Sequence, residues 1–331
     1  MNFLVIGYGS IGRRHTKNLI YLGHEVILLR HASKKLNERG LQEYYSLEDA
    51  INTEKKIDGA IICSPTSNHH QDALKLLSYQ IPFLLEKPPA DNLENTISLQ
   101  KELMQSDFNC YDIAFNLRYY APICFIKNYL KEIGNIYSAR ISAGSYLPNW
   151  RENIDYRKTS SASKNLGGGV HYELIHEIDY IIWFWGLPDK VMGYVNKISN
   201  LEISTMDICA AILVYNKGFI VELHLDYLSH KNLRGCQIIG QHGTLEWSVN
   251  DNQVFEYNNN SNQPKSIFSF PKKYDFNETY IDELNHFIGI IRDEKNTNVT
   301  IDDSVQSMLV LNAIVESSEK EKVIHLGNYR K

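Results

Sequence analysis

The segment VIGYGSIG sets Gly7, Gly9 and Gly12 at the spacing of a GxGxxG loop, after an apolar run and before a helical pattern. Each glycine in such a loop has its own task. The first permits the tight turn, the second lets the backbone approach a pyrophosphate, and the third lets helix and strand pack closely. Ser10 and Ile11 within the loop are further candidates to contact the cofactor, and the helix that follows offers free N–H groups and a partial positive charge to the anion. The next apolar run ends in Arg30, 18 residues past Gly12. That position sits beside the adenosine ribose, where an acid bonds the 2′-hydroxyl of NAD and an arginine accommodates the 2′-phosphate of NADP. Arg30 can grip a phosphate through two donors, and Ser33, Lys34 and Lys35 can add more. The expectation is therefore NADP(H), with NAD(H) as the alternative, set against a merely solvated basic loop.

The elements that must hold these residues follow from the hydrophobic pattern. NFLVIG, EVILLR, DGAIICSP, PFLLEKP and CYDIAFN read as buried strands, separated by helical segments over 12–22, 69–79 and 93–105. This alternation predicts an α/β class with a doubly wound parallel sheet, a Rossmann domain over residues 1–118 that binds NADP. From residue 119 the segments lengthen and alternate: IYSARISAG, DKVMGYVNKI, DICAAILVY, GFIVELHLDY and CQIIGQHGTLEW predict a mostly antiparallel open sheet. With the helices GVHYELIHEIDYIIWFW, TYIDELNHFIGIIRDE and DDSVQSMLVLNAIVESSEK they predict an α+β domain over 119–331 for substrate binding and oligomerisation. In the second of these helices Ile281, Leu284, Ile288 and Ile291 fall on one face.

Composition excludes several classes. With 331 residues, 43% hydrophobic and 22% charged, the chain reads as a soluble globular protein of two domains. A net charge of -5 gives no support for a nucleic-acid or anionic-membrane surface. The five cysteines are scattered and contain no CxxC pair, so neither a disulfide framework nor a thiolate zinc site is expected. His171 and His176 are five apart and do not share a helix face as HExxH histidines do, so no metal is expected either. No apolar stretch approaches the ~18 residues of a membrane span, and the expected location is the cytoplasm.

Together with the glycine loop, the stretches CSPTSNHH, LLEKP, NLRYYAP and GGGVHYELIHEIDYIIWFWG resemble the Gfo/Idh/MocA family of nicotinamide-dependent sugar and cyclitol oxidoreductases. The resemblance covers nearly the whole chain. It implies that Lys87, the lysine of the EKP motif, lies between nicotinamide and substrate and bonds the hydroxyl that becomes a carbonyl. Glu86, which would also border the cofactor, and Pro88 would shape that turn, with an unusual peptide geometry at Pro88 left open. Ser64, Thr66 and His69 would line the cofactor, and Asn116 and Arg118 would begin the substrate pocket. Many members read GGGxxxDxGxH, whereas this chain reads Glu173 and His176, three apart. The proton-carrying role then falls to His176, with Glu173 as its acid and His171 and Asp179 as nearby rivals.

The chemistry supports these assignments without the family. Residues three apart share a helix face, so Glu173 and His176 can reach one pocket. Hydride transfer on an alcohol needs a proton moved at the same oxygen, and histidine titrates near neutrality. A lysine beside that oxygen can stabilise developing negative charge. The blander readings are an ion pair of Lys87 with Glu86, a satisfied core histidine at His176, and a packing role for Glu173.

Before the GGG stretch, Tyr146, Trp150, Arg151, Tyr156, Arg157 and Lys164 combine aromatic faces that suit sugar rings with cations that suit carboxylates or phosphates. An exposed interdomain loop is the bland counterpart. The stretch is similar to family members of surface-polysaccharide and nonulosonic-acid pathways, which implies a nucleotide-linked sugar or sugar acid, with reduction of a keto-sugar as the expected direction. The expected partners are a small carbohydrate and further copies of the chain, as a homodimer or homotetramer through the C-terminal sheet. The alternatives are a non-redox glycosidase-type enzyme that retains its nicotinamide, and a non-catalytic ligand-binding regulator.

Overall fold

A computed structural model describes residues 1–30, 40–54, 56–216, 218–251, 253–258, 263–270 and 274–327. From the N-terminus run β1 (Asn2–Ile6), α1 (Ser10–Tyr21), β2 (Glu25–Leu29), β3 (Gln42–Tyr44), α2 (Leu47–Thr53), β4 (Gly59–Ile62), α3 (Thr66–Ser78), β5 (Phe83–Glu86), α4 (Leu93–Ser106) and β6 (Tyr111–Ala114). There follow α5 (Ala121–Tyr129), β7 (Ile136–Gly144), α6 (Val170–Glu173), α7 (His176–Trp185), β8 (Lys190–Asn196), β9 (Ile208–Tyr215) and β10 (Phe219–Asp226). The remainder comprises β11 (Leu233–Gly240), β12 (Thr244–Ser248), β13 (Gln253–Tyr257), β14 (Lys265–Ser269), α8 (Asn277–Ile291), α9 (Ile301–Lys320) and β15 (Ile324–His325).

The chain divides into two compact units, one of Met1–Asn116 with Phe276–Val305 and the other of Leu117–Asp275 with Gln306–Lys331. In the first, six parallel strands take the order β3-β2-β1-β4-β5-β6. This is the dinucleotide-binding order, which reverses direction next to the first strand and opens a crevice at the strands' carboxyl ends. The strands are covered on both faces, so they are continuous apolar runs. Phe3, Val5, Leu28, Ile61 and Leu84 form the core with Leu284, Phe287 and Ile288 of α8. Burying each such side chain contributes roughly 2 kcal/mol. The pattern had placed α8 with the second sheet, yet its apolar face packs in the first unit. Periodicity reports that a face is buried and is silent about the partner.

The second unit holds nine strands in the order β14-β13-β12-β11-β7-β10-β9-β8-β15. Only β7 and β10 pair in parallel; the other neighbours are antiparallel. CQIIGQHGTLEW is two strands, β11 and β12, folded back at Gln241–Gly243. One sheet face is covered and the other open. Along β9, Cys209, Leu213 and Tyr215 are buried, while Ile212 between them is exposed.

Candidate active site

The glycine loop joins β1 to α1 and is shaped by backbone that leaves no room for side chains. Gly7 has φ +90°, and a Cβ there would lie 2.6 Å from the Cys63 carbonyl oxygen and 2.7 Å from the Ser64 nitrogen. A Cβ on Gly12 would lie 2.1 Å from the Gly7 carbonyl oxygen. Gly9 is different: nothing described lies within 4 Å of where its Cβ would be. Gly9 is also the N-cap of α1 and brings no side chain to the first-turn N–H groups. An open concavity lined by helix N–H donors fits the diphosphate of a dinucleotide.

Arg30 follows the end of β2, but its guanidinium has an acidic neighbour that the motif did not announce. Nη1 lies 2.7 Å from Oε2 of Glu43, on the adjoining strand β3, and both side chains are largely buried. Ser33, Lys34 and Lys35, which were expected to add donors, lie outside the described residues.

At the carboxyl end of β5 the chain turns through Glu86, Lys87 and Pro88, and the Lys87–Pro88 peptide is cis. Lys87 is half-buried. Its two neighbours are each held by a histidine. Glu86 Oε1 is 2.8 Å from His15 Nε2, on α1, and the Pro88 carbonyl oxygen is 2.7 Å from His69 Nδ1, on α3. His69 Nε2 lies 2.9 Å from the carbonyl oxygen of Ser64, whose hydroxyl donates to Asp72 at 2.6 Å. Thr66 opens α3 beside this loop. His69 is 2% exposed and Glu86 6%, so both residues expected to line the cofactor turn inward. Burial pushes the His69 pKa down, against the two carbonyls and the Glu86 and Asp72 carboxylates, which favour its charged form. Asn116 is also buried and donates to Thr279 Oγ1 at 2.8 Å. Near Glu86, the carboxyl of Glu283 is fully buried with no hydrogen-bond partner among the described residues. Burial, reinforced by Glu86 and Asp112, raises it well above the usual carboxylate range.

In the second unit the GGGVHYELIHEIDYIIWFW helix is broken. Glu173 is the last residue of α6 and His176 the first of α7, with Leu174 leaving the helical region at φ -104°, ψ 29°. The Glu177 N–H bonds the Leu174 carbonyl at 3.4 Å, a tighter turn than the α-helical step. A shared helix face therefore does not describe Glu173 and His176, and this expectation is corrected. Glu173 Oε1 accepts from the Ser161 hydroxyl at 2.6 Å. Asp179 accepts from Arg118 through two bonds, of 2.9 and 2.7 Å, and Arg118 is only 6% exposed. Glu177, fully buried, accepts from Arg234 Nε at 2.8 Å. His176 is 7% exposed. His171, equally buried, is pushed down to about 4 by that burial.

The comparisons with known proteins cover both units. Residues 1–110 match the oxidoreductase family's NAD-binding Rossmann fold, and residues 127–326 match its C-terminal alpha/beta domain. The chain belongs to the Gfo/Idh/MocA oxidoreductase family. It is 27% identical over 217 residues to glucose-6-phosphate 3-dehydrogenase of Bacillus subtilis (strain 168), a match spanning 61% of this chain and 59% of that protein. Inositol 2-dehydrogenase of Rubrobacter xylanophilus is 20% identical over 324 residues, 95% of this chain and 89% of the relative. Among solved structures, levoglucosan dehydrogenase in complex with NADH and levoglucosan has a TM-score of 0.84 at 17% identity, over 99% of each chain. Myo-inositol 2-dehydrogenase from Lactobacillus plantarum has 0.81 at 23% identity, over 98% of this chain and 99% of that one. At these identities the structural likeness is one of fold.

In this Gfo/Idh/MocA member the stretch expected to meet substrate is already bonded, partly to itself and partly to Glu202 and His230. Trp150 Nε1 donates to the Ser145 carbonyl at 3.1 Å, and the Tyr156 hydroxyl accepts from the Glu202 N–H at 3.2 Å. Arg157 is exposed and bridges Asp155 and Glu202 at 2.8 and 3.2 Å. The Tyr146 ring lies 4.3 Å from that of His230. The residues that pattern reading missed are His15, Glu43, Glu177, Arg234 and Glu283. Each takes its meaning from a neighbour distant in sequence, and only Glu177, inside HEID, carried a local signal. Among the described residues no cluster of His, Cys, Asp and Glu could hold a metal ion, and no helix is long and apolar enough to cross a membrane.

Proposed function

We propose that this oxidoreductase transfers hydride between NADP(H) and a carbohydrate-type alcohol or ketone. The observation that carries it is the pairing, within one unit, of an open glycine cradle with a lysine at the carboxyl end of β5, where α/β sheets of this order bind ligands. The bound dinucleotide would supply or accept the hydride. Lys87 would hold the substrate oxygen and offset its developing charge, and His176 would carry the proton, with Glu173 supporting it. Asn116, Arg118, Tyr146, Trp150, Tyr156 and Arg157 remain the candidates for substrate contact. The names of the relatives support a sugar or cyclitol substrate. The finer expectation is a nucleotide-linked sugar or sugar acid of surface-polysaccharide or nonulosonic-acid biosynthesis.

Glu43 favours a second reading for the cofactor alone. Its carboxylate beside Arg30 would repel a 2′-phosphate and accept a bond from a 2′-hydroxyl, which favours NAD(H). Titration with NADPH and NADH separates the two: tighter NADPH binding that Arg30→Asp weakens supports NADP(H), and tighter NADH binding that Glu43→Gln weakens supports NAD(H). The open face of the second sheet, with Met192, Tyr194 and Ile212 exposed, supports a homodimer or homotetramer.

Hydride transfer itself is tested by following reduced-nicotinamide absorbance with glucose 6-phosphate, myo-inositol, nucleotide sugars and sugar acids, offered with either cofactor form. Lys87→Met should abolish turnover and leave dinucleotide affinity within about twofold. Turnover at the parental rate in that variant would overturn the assignment. A non-redox enzyme would instead cleave a glycoside with no net absorbance change.

A further inference from the structure

We propose that His15 and His69 are positioning residues for Lys87, bracing it from both sides and tying it to the two loops that frame the dinucleotide cradle. This rests on the role given to Lys87 above.

Lys87 sits between two residues that are fixed by different helices. Glu86 is held by His15, whose Nε2 is 2.8 Å from Oε1, and His15 lies on α1, the helix that starts at the glycine loop. The Pro88 carbonyl is held by His69, whose Nδ1 is 2.7 Å away, and His69 lies on α3, the helix that follows the Ser64–Pro65 loop. The same imidazole also meets the Ser64 carbonyl at 2.9 Å, so one ring spans the cofactor-side loop and the lysine turn. A carbonyl oxygen only accepts and a neutral imidazole carries one N–H, so the neutral His69 ring bonds one of its two carbonyls at a time and the imidazolium bonds both. Both rings are buried, at 0% and 2% exposure. Across the turn, Ser64 is itself locked by its 2.6 Å bond to Asp72.

The chemical consequence is preorganisation. A lysine side chain is long and rotamer-rich, so its placement depends on how firmly its backbone is held. Here Glu86, through its side chain, and Pro88, through its backbone carbonyl, are tied to α1 and α3 on either side of the lysine. Movement of either cofactor loop is therefore transmitted to Lys87, and Lys87 is placed only when both loops are. A misplacement of about 1 Å at such a group can lower the rate by as much as 10²-fold.

The test uses the full chain carrying His69→Ala, His69→Gln, His15→Ala or His15→Gln, with Lys87→Met for reference. One readout needs no substrate: the rate at which an amine-reactive ester acylates Lys87, followed by peptide mass spectrometry against Lys101, which is exposed on α4. The other is the division between kcat and KM on the best substrate found. The alanine variants should raise Lys87 acylation severalfold and lower kcat about tenfold or more, while KM and dinucleotide affinity stay within about twofold. Glutamine, which keeps one N–H donor, should recover part of both. Where an alanine variant fails to fold, its glutamine counterpart carries the comparison. Parental acylation of Lys87 in folded variants at both positions would overturn the proposal, as would a loss of dinucleotide affinity with acylation unchanged. If Lys87→Met turned over normally, the functional reading would fall, while the acylation rates would still decide whether the histidines hold the lysine.

Discussion

The turn around Lys87 and the start of α7 are both buried and polar, yet they are held by opposite means. Around Lys87 the fixing groups are two imidazoles, with backbone carbonyls and one carboxylate as acceptors. At α7 they are two carboxylates in full ion pairs, Asp179 with Arg118 and Glu177 with Arg234. A buried ion pair that loses one member leaves a charge with nothing to offset it, whereas a broken His69 contact leaves a neutral carbonyl. The first unit should therefore lose precision when its ties are cut, and the second should lose stability.

The largest expected effect breaks an ion pair. Asp179→Ala should destabilise the protein by about 3–5 kcal/mol, read by urea unfolding, because Arg118 is left buried and charged. A loss of less than about 1 kcal/mol would make the two regions alike. Next comes acidification. His171 has its folded pKa lowered to about 4 from 6.5. The unfolded chain then binds the extra proton between these values, so the stability present above pH 6.5 is lost as the pH falls toward 4. The shift is worth about 3 kcal/mol at most, and His171→Leu should flatten that part of the pH–stability curve. His24, His69 and His70 are lowered in the same direction and leave a residual slope. A smaller change is expected for His69→Gln, about 1–2 kcal/mol in melting experiments, alongside its larger effect on kcat. A change of opposite sign is expected for Glu283→Gln. With its folded pKa raised, Glu283 favours the native state below its unfolded value of 4.5 and opposes it as the pH rises. The amide variant should be more stable than the parent at neutral pH and should lose that dependence.

The two regions also differ in how far the sequence exposed them. The glycine loop and the order of buried strands were legible because parallel strands are continuous apolar runs and Gly7 and Gly12 are sterically required. The strand β3 and helix α2 escaped, since QEY is three residues long and polar. Because β3 was missed, so was Glu43, and Arg30 looked like a simple phosphate grip. The break between α6 and α7 was invisible because apolar residues continue through Leu174 and Ile175 at helical spacing. The ion pairs were invisible for another reason: their members stand 61 and 57 positions apart, and no local pattern links them. Lys87 and His69 could be singled out by their motifs, but His15, and the contacts by which both histidines hold the lysine turn, could not.

The two-piece composition of the first unit has a consequence for how the chain is made. A fragment ending at Asn116 would carry every strand of the first sheet and still lack Leu284, Phe287 and Ile288, leaving Phe3 and Val5 without their cover. On the ribosome the nucleotide-binding half must therefore wait, incomplete, while the whole intervening sheet is synthesised, and α8 closes it only once that sheet has been made.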